Sequence, residues 1–430
     1  MLSYRFIPTT GQDELFTNQL AGLRWTVDHV LKGSDFYRTR LAAAGISSSR
    51  DIKSLDDLRR LPLTSTADLR EGYPYPLLSV PLRDVVRLHA SSGTTGKRKV
   101  MSYTQNDVDT FSLQMARCFE LAGLTPDDRV QIAVGYGLWT AGIGFQLGCE
   151  KLGCMSIPIG PGNIEMHLQF LTDAGSTCLG STASMALLLS EEVERNQLAD
   201  KIKLKKIIFG AEPHDEKMRR NFERKLGLED SFDIAGMTEM FGPGSALDCP
   251  HHTGLHYWAD LFIIEILNPD TLEPVPDGEM GEMVVTTLTK EASPLLRYRT
   301  GDLSRLIPGV CSCGLPMPRH DRILGRSDDM IIFRGVNIYP GQISDVLRTF
   351  PEAAGEYNIQ LWRDDGGRDI MLLKVERSPA ADKDNDPNLA GAILRTMQQR
   401  VMVSPQVEIV DPGMLPRFMG KAKRVEDKRF

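Results

Sequence analysis

Ser91-Ser92-Gly93-Thr94-Thr95-Gly96-Lys97 is a run of glycine and hydroxyl residues closed by a lysine. It lies between Val85-Val86-Arg87-Leu88-His89, which reads as a strand, and Lys99-Val100-Met101. Glycines among hydroxyls suit a loop whose backbone N–H groups come close to a polyanion. The hydroxyls add hydrogen bonds, and Lys97 adds a mobile point charge. A Walker A loop is excluded, because that motif needs glycine where this chain has Ser91 and a hydroxyl residue where it has Arg98. Alone, the stretch fits either a phosphate loop of another kind or a polar turn between strands.

The flanks on the two sides differ in texture. Upstream, residues 13–31 set Leu15, Leu20, Leu23, Val27 and Leu31 near helical spacing. Ser54 and Ser65 each precede an acid in a first turn and mark two further helix starts. Tyr73-Pro74-Tyr75-Pro76 closes that helical region. Downstream, helices are expected over 105–121, 142–152, 167–174 and 184–195. Strands are expected over 129–134, 154–158, 177–180 and 204–209. This alternation predicts mostly parallel sheets covered by helices, with ligands beyond the strands' carboxyl ends. The segments after Val134, Phe209 and Ile234 are therefore the places where a site is expected.

From residue 261 the pattern turns β-rich, as a small barrel or appended sheet. After Arg326 the order β-α-β-β-α-β predicts a small α+β module of ferredoxin-like type, beginning with a strand over 330–337. The expected fold class is thus α/β. Residues 1–327 form a large N-terminal domain with a β-rich subdomain at about 245–325, and 328–430 form a mobile C-terminal domain.

With 430 residues, 41% hydrophobic and 25% charged, the chain can bury large cores. A net charge of −7 argues against nucleic acid as a partner. No signal peptide is visible and no apolar run is long enough to span a membrane. Seven cysteines, an odd number, point to reduced thiols and a cytoplasmic protein.

Several short constellations carry chemistry. Ile234-Ala235-Gly236-Met237-Thr238-Glu239 couples a small-residue turn to a hydroxyl and a carboxylate that can meet phosphate and its metal. Gly210-Ala211-Glu212-Pro213 is a second small-residue turn after an apolar strand, or simply a strand exit. Tyr298-Arg299-Thr300-Gly301-Asp302-Leu303 joins a basic residue to an acid in a tight turn, where Asp302 can accept from a ribose diol. Gly325-Arg326-Ser327-Asp328-Asp329-Met330 reads as a hinge or a linker.

Taken in order with the terminal Gly420-Lys421-Ala422, these motifs resemble those of the adenylate-forming superfamily, and most closely the phenylacetate–CoA ligase family. Further likeness lies in Tyr136-Gly137-Leu138-Trp139-Thr140, Gly236 through Gly244, Leu288-Thr289-Lys290-Glu291 and Arg334-Gly335-Val336-Asn337. The resemblance runs from about Tyr73 to the C-terminus. It implies that residues 91–97 hold the β- and γ-phosphates of ATP, and that Glu239, beside Thr238, ligates magnesium. Ala211, Glu212, Ala235, Gly236 and Met237 would border AMP, and Asp302 would bind the ribose with Arg326 nearby. Lys421 would meet the α-phosphate and acyl carboxylate. Asp328 would be a hinge about which the C-terminal domain turns between half-reactions, exchanging Lys421 for a coenzyme A face at Arg334 and Gly335.

The resemblance places an acyl pocket at Tyr136, Trp139, Ala211 and Gly236, with the two rings as walls for an aryl acid. Trp139 stands where many relatives have Phe, which narrows the pocket. Cys311-Ser312-Cys313, with Cys249 and His256, has the donor set for tetrahedral zinc, and the resemblance implies a structural ion there; His251 or His252 are alternative ligands. The expected activity is ATP-dependent arylacetate–CoA ligation through acyl-AMP, by an enzyme that is commonly a homodimer in this family. Two other readings stand beside it: an adenylyltransferase that stops at AMP transfer, as in coenzyme F390 synthetases, and a non-catalytic nucleotide-binding regulator.

Overall fold

The computed structural model describes residues 4–91, 98–211, 214, 216–327, 331–333, 336–338, 340–363, 369–416 and 424–429. The chain divides into two units, one of residues 1–300 and 304–322, the other of residues 301–303 and 323–430.

The first unit begins with α1 (Gln12–Gly33), where apolar spacing called for a helix, then α2 (Asp35–Ala43), which no expectation covered, and α3 (Thr66–Glu71), at the start that Ser65 marked. Ser54 and Ser65 cap a 3-10 turn and α3, each in a reciprocal capping box with an aspartate. Strands β1 (Arg87–Ala90) and β2 (Val100–Tyr103) form an antiparallel pair on either side of the glycine-rich stretch. There follow α4 (Gln105–Leu121), β3 (Arg129–Ile132), α5 (Ala141–Leu152), β4 (Met155–Ile157), α6 (Ile164–Asp173) and β5 (Cys178–Thr182). Next come α7 (Ala183–Arg195), β6 (Lys206–Gly210), α8 (Glu216–Leu226) and β7 (Asp230–Met237).

Strands β4, β3, β5, β6 and β7 lie side by side in that order, all parallel. Their alternate residues bury on opposite faces. Leu179, Ile207 and Phe209 join the core beneath α6, α7 and α8. Cys178, Ile208 and Phe232 face the core shared with Phe111 and Met115 of α4 and Phe145 of α5.

The β-rich part differs from an appended body. Strands β8 (Gly242–Asp248) and β9 (Leu255–Tyr257) continue the main sheet antiparallel, followed at its edge by β14 (Arg319–His320) and β13 (Leu306–Ile307). The reversal has a local cause. Phe241 has φ +64° and Gly242 φ +94°, so the chain turns back on itself after the Thr238–Met240 turn. A register shift between Ala235 and Gly236 accommodates the return. Strands β10 (Phe262–Leu267), β11 (Gly281–Thr287) and β12 (Tyr298–Ser304) make a separate sheet. The segment from Tyr298 to Leu303 is therefore a strand and not the tight turn expected. Its side chains alternate, so Arg299 pairs with Glu282 and not with Asp302.

In the second unit, β12 pairs with β15 (Gly325–Arg326). The strand expected over 330–337 is a hairpin of β16 (Ile331–Phe333) and β17 (Val336–Ile338). Helix α9 (Pro340–Leu347), β18 (Ala353–Arg363), β19 (Asp369–Arg377), α10 (Asp386–Arg400) and β20 (Gln406–Val410) complete the α+β module. A terminal strand β21 (Val425–Asp427) pairs parallel with β18 and forms one edge of a four-stranded sheet in the order β20, β19, β18, β21. Ile359, Leu361, Leu373, Ile393 and Met397 centre its core.

Candidate active site

The parallel strands share one carboxyl edge, and there the exit of β6 and the end of β7 carry almost no side chain. A Cβ on Gly210 would stand 2.3 Å from the Ile234 carbonyl oxygen. One on Gly236 would stand 2.4 Å from the Gly242 oxygen and 2.6 Å from Pro243 Cα. Ala211, just past β6, has φ +66°. Ala211, Ala235 and Gly236 thus leave bare backbone at the edge where open sheets of this kind bind ligands, and Gly236 is exposed.

Beyond β7 the Thr238–Met240 turn buries a carboxylate. Glu239 is 2% exposed, and its Oε1 lies 2.5 Å from Lys99 Nζ and accepts from the Tyr298 hydroxyl at 2.9 Å. Burial by itself pushes this carboxyl up. The Lys99 ammonium and the Tyr298 hydroxyl outweigh burial and hold it below the ordinary glutamate value, so it stays ionised. The turn is pinned from behind, where the Tyr103 hydroxyl donates to the Thr238 carbonyl at 2.6 Å.

Lys99 also marks the base of the glycine-rich stretch. The Ser91 N–H donates to the Lys99 carbonyl at 3.0 Å, and the buried Ser91 hydroxyl has no partner among the described residues. The Tyr136–Trp139 segment is stitched to the same strand. The Ala90 N–H and His89 Nδ1 both reach the Leu138 carbonyl, at 2.8 and 3.2 Å. Burial pushes His89 down to about 4, so its imidazole is neutral. The Tyr136 ring lies over Gly142, where an added Cβ would stand 2.5 Å from it, and Trp139 folds against Gly135. The Tyr136 hydroxyl is buried with no partner among the described residues, and burial raises it to about 12.

In the second unit, Asp302 and Arg326 are register partners, with Arg326 Nη1 2.6 Å from Asp302 Oδ1. Ser92, Gly93, Thr94, Thr95, Gly96, Lys97, Glu212, Asp328, Arg334, Gly335 and Lys421 lie outside the described residues.

A second cluster lies among the antiparallel strands. One ligating atom from each of Cys249, His256, Cys311 and Cys313 falls within 4.8 Å of the others. Cys249 Sγ is 3.6 Å from Cys311 Sγ, and Cys313 Sγ is 3.3 Å from His256 Nε2. Two thiolates on one tetrahedral zinc, each about 2.3 Å from it, stand about 3.8 Å apart, so the spacing fits. His256 Nδ1 donates to the Met317 carbonyl at 2.7 Å, which leaves Nε2 as the ligand atom. The Leu315 N–H points at Cys313 Sγ at 3.5 Å. Burial opposes ionisation of Cys311, but the Thr253 hydroxyl and neighbouring thiols pull it down to about 7. His252 is engaged elsewhere, between Asp230 and Asp248, each at 3.0 Å.

The model for AMP-binding enzymes matches residues 39–289, and that for the AMP-binding enzyme C-terminal domain matches residues 335–429. The phenylacetate-coenzyme A ligase of Escherichia coli is 41% identical over 429 residues, 98% of this chain and 97% of that protein. The chain belongs to the phenylacetate–CoA ligase family of adenylate-forming enzymes. The family member from Thermus thermophilus is 38% identical, covering 98% of each chain. A solved 2-hydroxyisobutyryl-CoA ligase in the postadenylation state, in complex with R3-HIB-AMP, superposes with TM-score 0.86. It is 27% identical and covers 98% of this chain and 91% of its own.

Within this phenylacetate–CoA ligase family fold, the structure joins Glu239 and Thr238 to residues that sequence reasoning left without a role. Lys99 was overshadowed by Lys97, and Tyr298 by Asp302. The signal for Lys99 was its place at the exit of the glycine-rich stretch; nothing local marked Tyr103 as a partner of Thr238.

Proposed function

We propose that this chain is an ATP-dependent ligase that activates an arylacetic acid as acyl-AMP, releasing pyrophosphate, and then transfers the acyl group to coenzyme A. One observation carries the reading: a buried, ionised carboxylate at the exit of a parallel strand whose cation partner, Lys99, projects from the base of the glycine-rich stretch. A carboxylate that keeps its charge in the core needs a cation.

The donor set of Glu239 suits a hard divalent ion, with the Lys99 ammonium standing where such an ion would compete for Oε1. Magnesium, when bound, supplies neutralising charge to the phosphates. The chain's own residues do the rest. Residues 91–97 would hold the departing pyrophosphate, and Asp302 the ribose. Ala211, Glu212, Ala235, Gly236 and Met237 would let the nucleotide lie against bare backbone. Lys421 would offset the charge that builds as the acid's carboxylate attacks the α-phosphate, and Arg334 with Gly335 would face coenzyme A. Tyr136 and Trp139 would wall the acyl group, with the Tyr136 hydroxyl, which has no partner among the described residues, giving the pocket one polar contact.

Cys249, His256, Cys311 and Cys313 would hold a structural zinc that ties the strand ends together. The reading places the protein in the cytoplasm, where ATP and coenzyme A are supplied and its thiols stay reduced.

A panel of arylacetic, benzoic and short aliphatic acids, assayed for pyrophosphate release with and without coenzyme A, tests the proposal. Acid-dependent release and acyl-CoA formation, strongest with an arylacetate, are expected. Pyrophosphate release without thioester product would instead support an adenylyltransferase. No acid-dependent release with any member would overturn the enzyme reading.

A further inference from the structure

Behind the Glu239 turn lies a buried lysine. Lys290 is fully buried, and its ammonium has no hydrogen-bond partner among the described residues. Burying three such donors unpaired is unfavourable, so the position needs another source of stabilisation. Two aromatic faces supply it. Lys290 Nζ lies 4.2 Å from the centre of the Tyr103 ring and 4.4 Å from that of Phe241.

Those two rings hold the ends of one turn. Tyr103 donates its hydroxyl to the Thr238 carbonyl, and Phe241 directly follows the Thr238–Met240 turn in a left-handed conformation. The backbone from which Lys290 projects is itself fixed. Asp107 accepts from the Glu291 and Ala292 N–H groups at 2.8 and 2.9 Å, and the Glu291 carboxylate accepts from the Thr104 hydroxyl at 2.7 Å. Burial pushes the Lys290 ammonium down to about 8, and the fields of Asp107 and Glu239 oppose that fall.

We propose that Lys290 is a positioning residue for adenylation: its ammonium, clasped by Tyr103 and Phe241, sets the Thr238–Met240 turn so that Glu239 meets the nucleotide's cation. The proposal rests on the function given above. Lys290 touches no reacting atom; it acts through the turn.

Lys290→Met, Lys290→Arg and Glu239→Gln are compared with the unaltered full chain in two measurements. One is pyrophosphate release; the other is calorimetric affinity for ATP with magnesium and for AMP without metal. Lys290→Met is expected to lower kcat about 30-fold, in the range of losses from misplacing a catalytic group. It is expected to weaken magnesium–ATP about tenfold while leaving AMP affinity and the KM for the acid within about twofold. Lys290→Arg, which keeps the cation, is expected to recover most of the loss.

The proposal is overturned if Lys290→Met keeps kcat and magnesium–ATP affinity, or if it weakens magnesium–ATP and AMP equally, as general loosening would. Should Lys290→Met fail to fold, Tyr103→Phe decides. It keeps the ring and removes only the bond to Thr238, so weaker magnesium–ATP binding with unchanged AMP binding supports the proposal and unchanged values for both overturn it. An unaltered chain that releases no pyrophosphate with any acid would sink the function, and the calorimetric arms would still judge Lys290.

Discussion

Glutamine at position 239 would keep the size of the side chain and remove its charge. Lys99 would then face a neutral amide and, on the proposed function, the cation that accompanies ATP would lose its carboxylate. Glu239→Gln is expected to lower kcat for adenylation by about 100- to 1,000-fold, as for losing one strong electrostatic contact to the transition state. Tyr298→Phe removes the hydroxyl that donates to Glu239 and also meets Thr66 Oγ1 and Lys99 Nζ, and it should cost about tenfold, with the KM for the acid little changed. Steady-state pyrophosphate release measures both. Glu239 was legible in the sequence because its motif is local, a strand exit followed by a small-residue turn and an acid. Lys99, Tyr103 and Tyr298 were not, because a sequence shows residue types and not which distant segments a sheet brings together. The expected tight turn at Tyr298–Leu303 failed for a related reason. Short polar runs look alike in strands and turns until their pairing partner is known.

At the scale of elements, two features invite direct tests. The return from β7 to β8 passes so close that Gly236 has no room for a Cβ. Gly236→Ala must push back the Gly242–Pro243 backbone and is expected to cost about 1–3 kcal/mol, measured by urea unfolding. Such displacement would also disturb the adjoining Thr238–Met240 turn, so activity should fall further than stability alone explains. The Cys/His cluster ties the end of β8, strand β9 and the turn before β14. Elemental analysis is expected to give about one zinc per chain, and Cys311→Ser or prolonged chelation should remove it and lower the thermal midpoint. A metal-free protein as purified would sink the zinc reading. Here the sequence supplied the donor types and the Cys-x-Cys spacing. Only the folded sheet shows that residues on either side of a long β-rich stretch converge, with His256 presenting Nε2.

At the scale of the whole molecule, stability should depend on a histidine outside the active site. His252 is pushed up to about 9 by hydrogen bonds to Asp230 and Asp248, against the opposing effects of burial and Arg219. A folded value above the ordinary 6.5 means that the protonated ring favours the native state. That contribution is fully present below about 6.5 and is lost as the pH rises through about 9. The thermal midpoint is therefore expected to fall across this alkaline window, and His252→Gln should flatten the fall. An identical pH profile for the two proteins would refute the assignment.

Although α2 and α8 were not among the expected helices, the alternation of strands and helices was legible over 105–209, where apolar and polar stretches repeat at element length. The route of the β-rich strands was not, because nothing in a strand's own pattern says which sheet it joins. That routing bears on when the enzyme becomes dangerous to its host. Glu239 depends on Lys99, which comes far earlier in the chain, and on Tyr298, 59 residues later. Asp107 holds amides as much as 185 residues away. A site assembled from contacts this distant in sequence closes late in folding, after most of the first unit has left the ribosome. On the proposed function, a half-made chain therefore lacks the means to turn ATP into a reactive mixed anhydride.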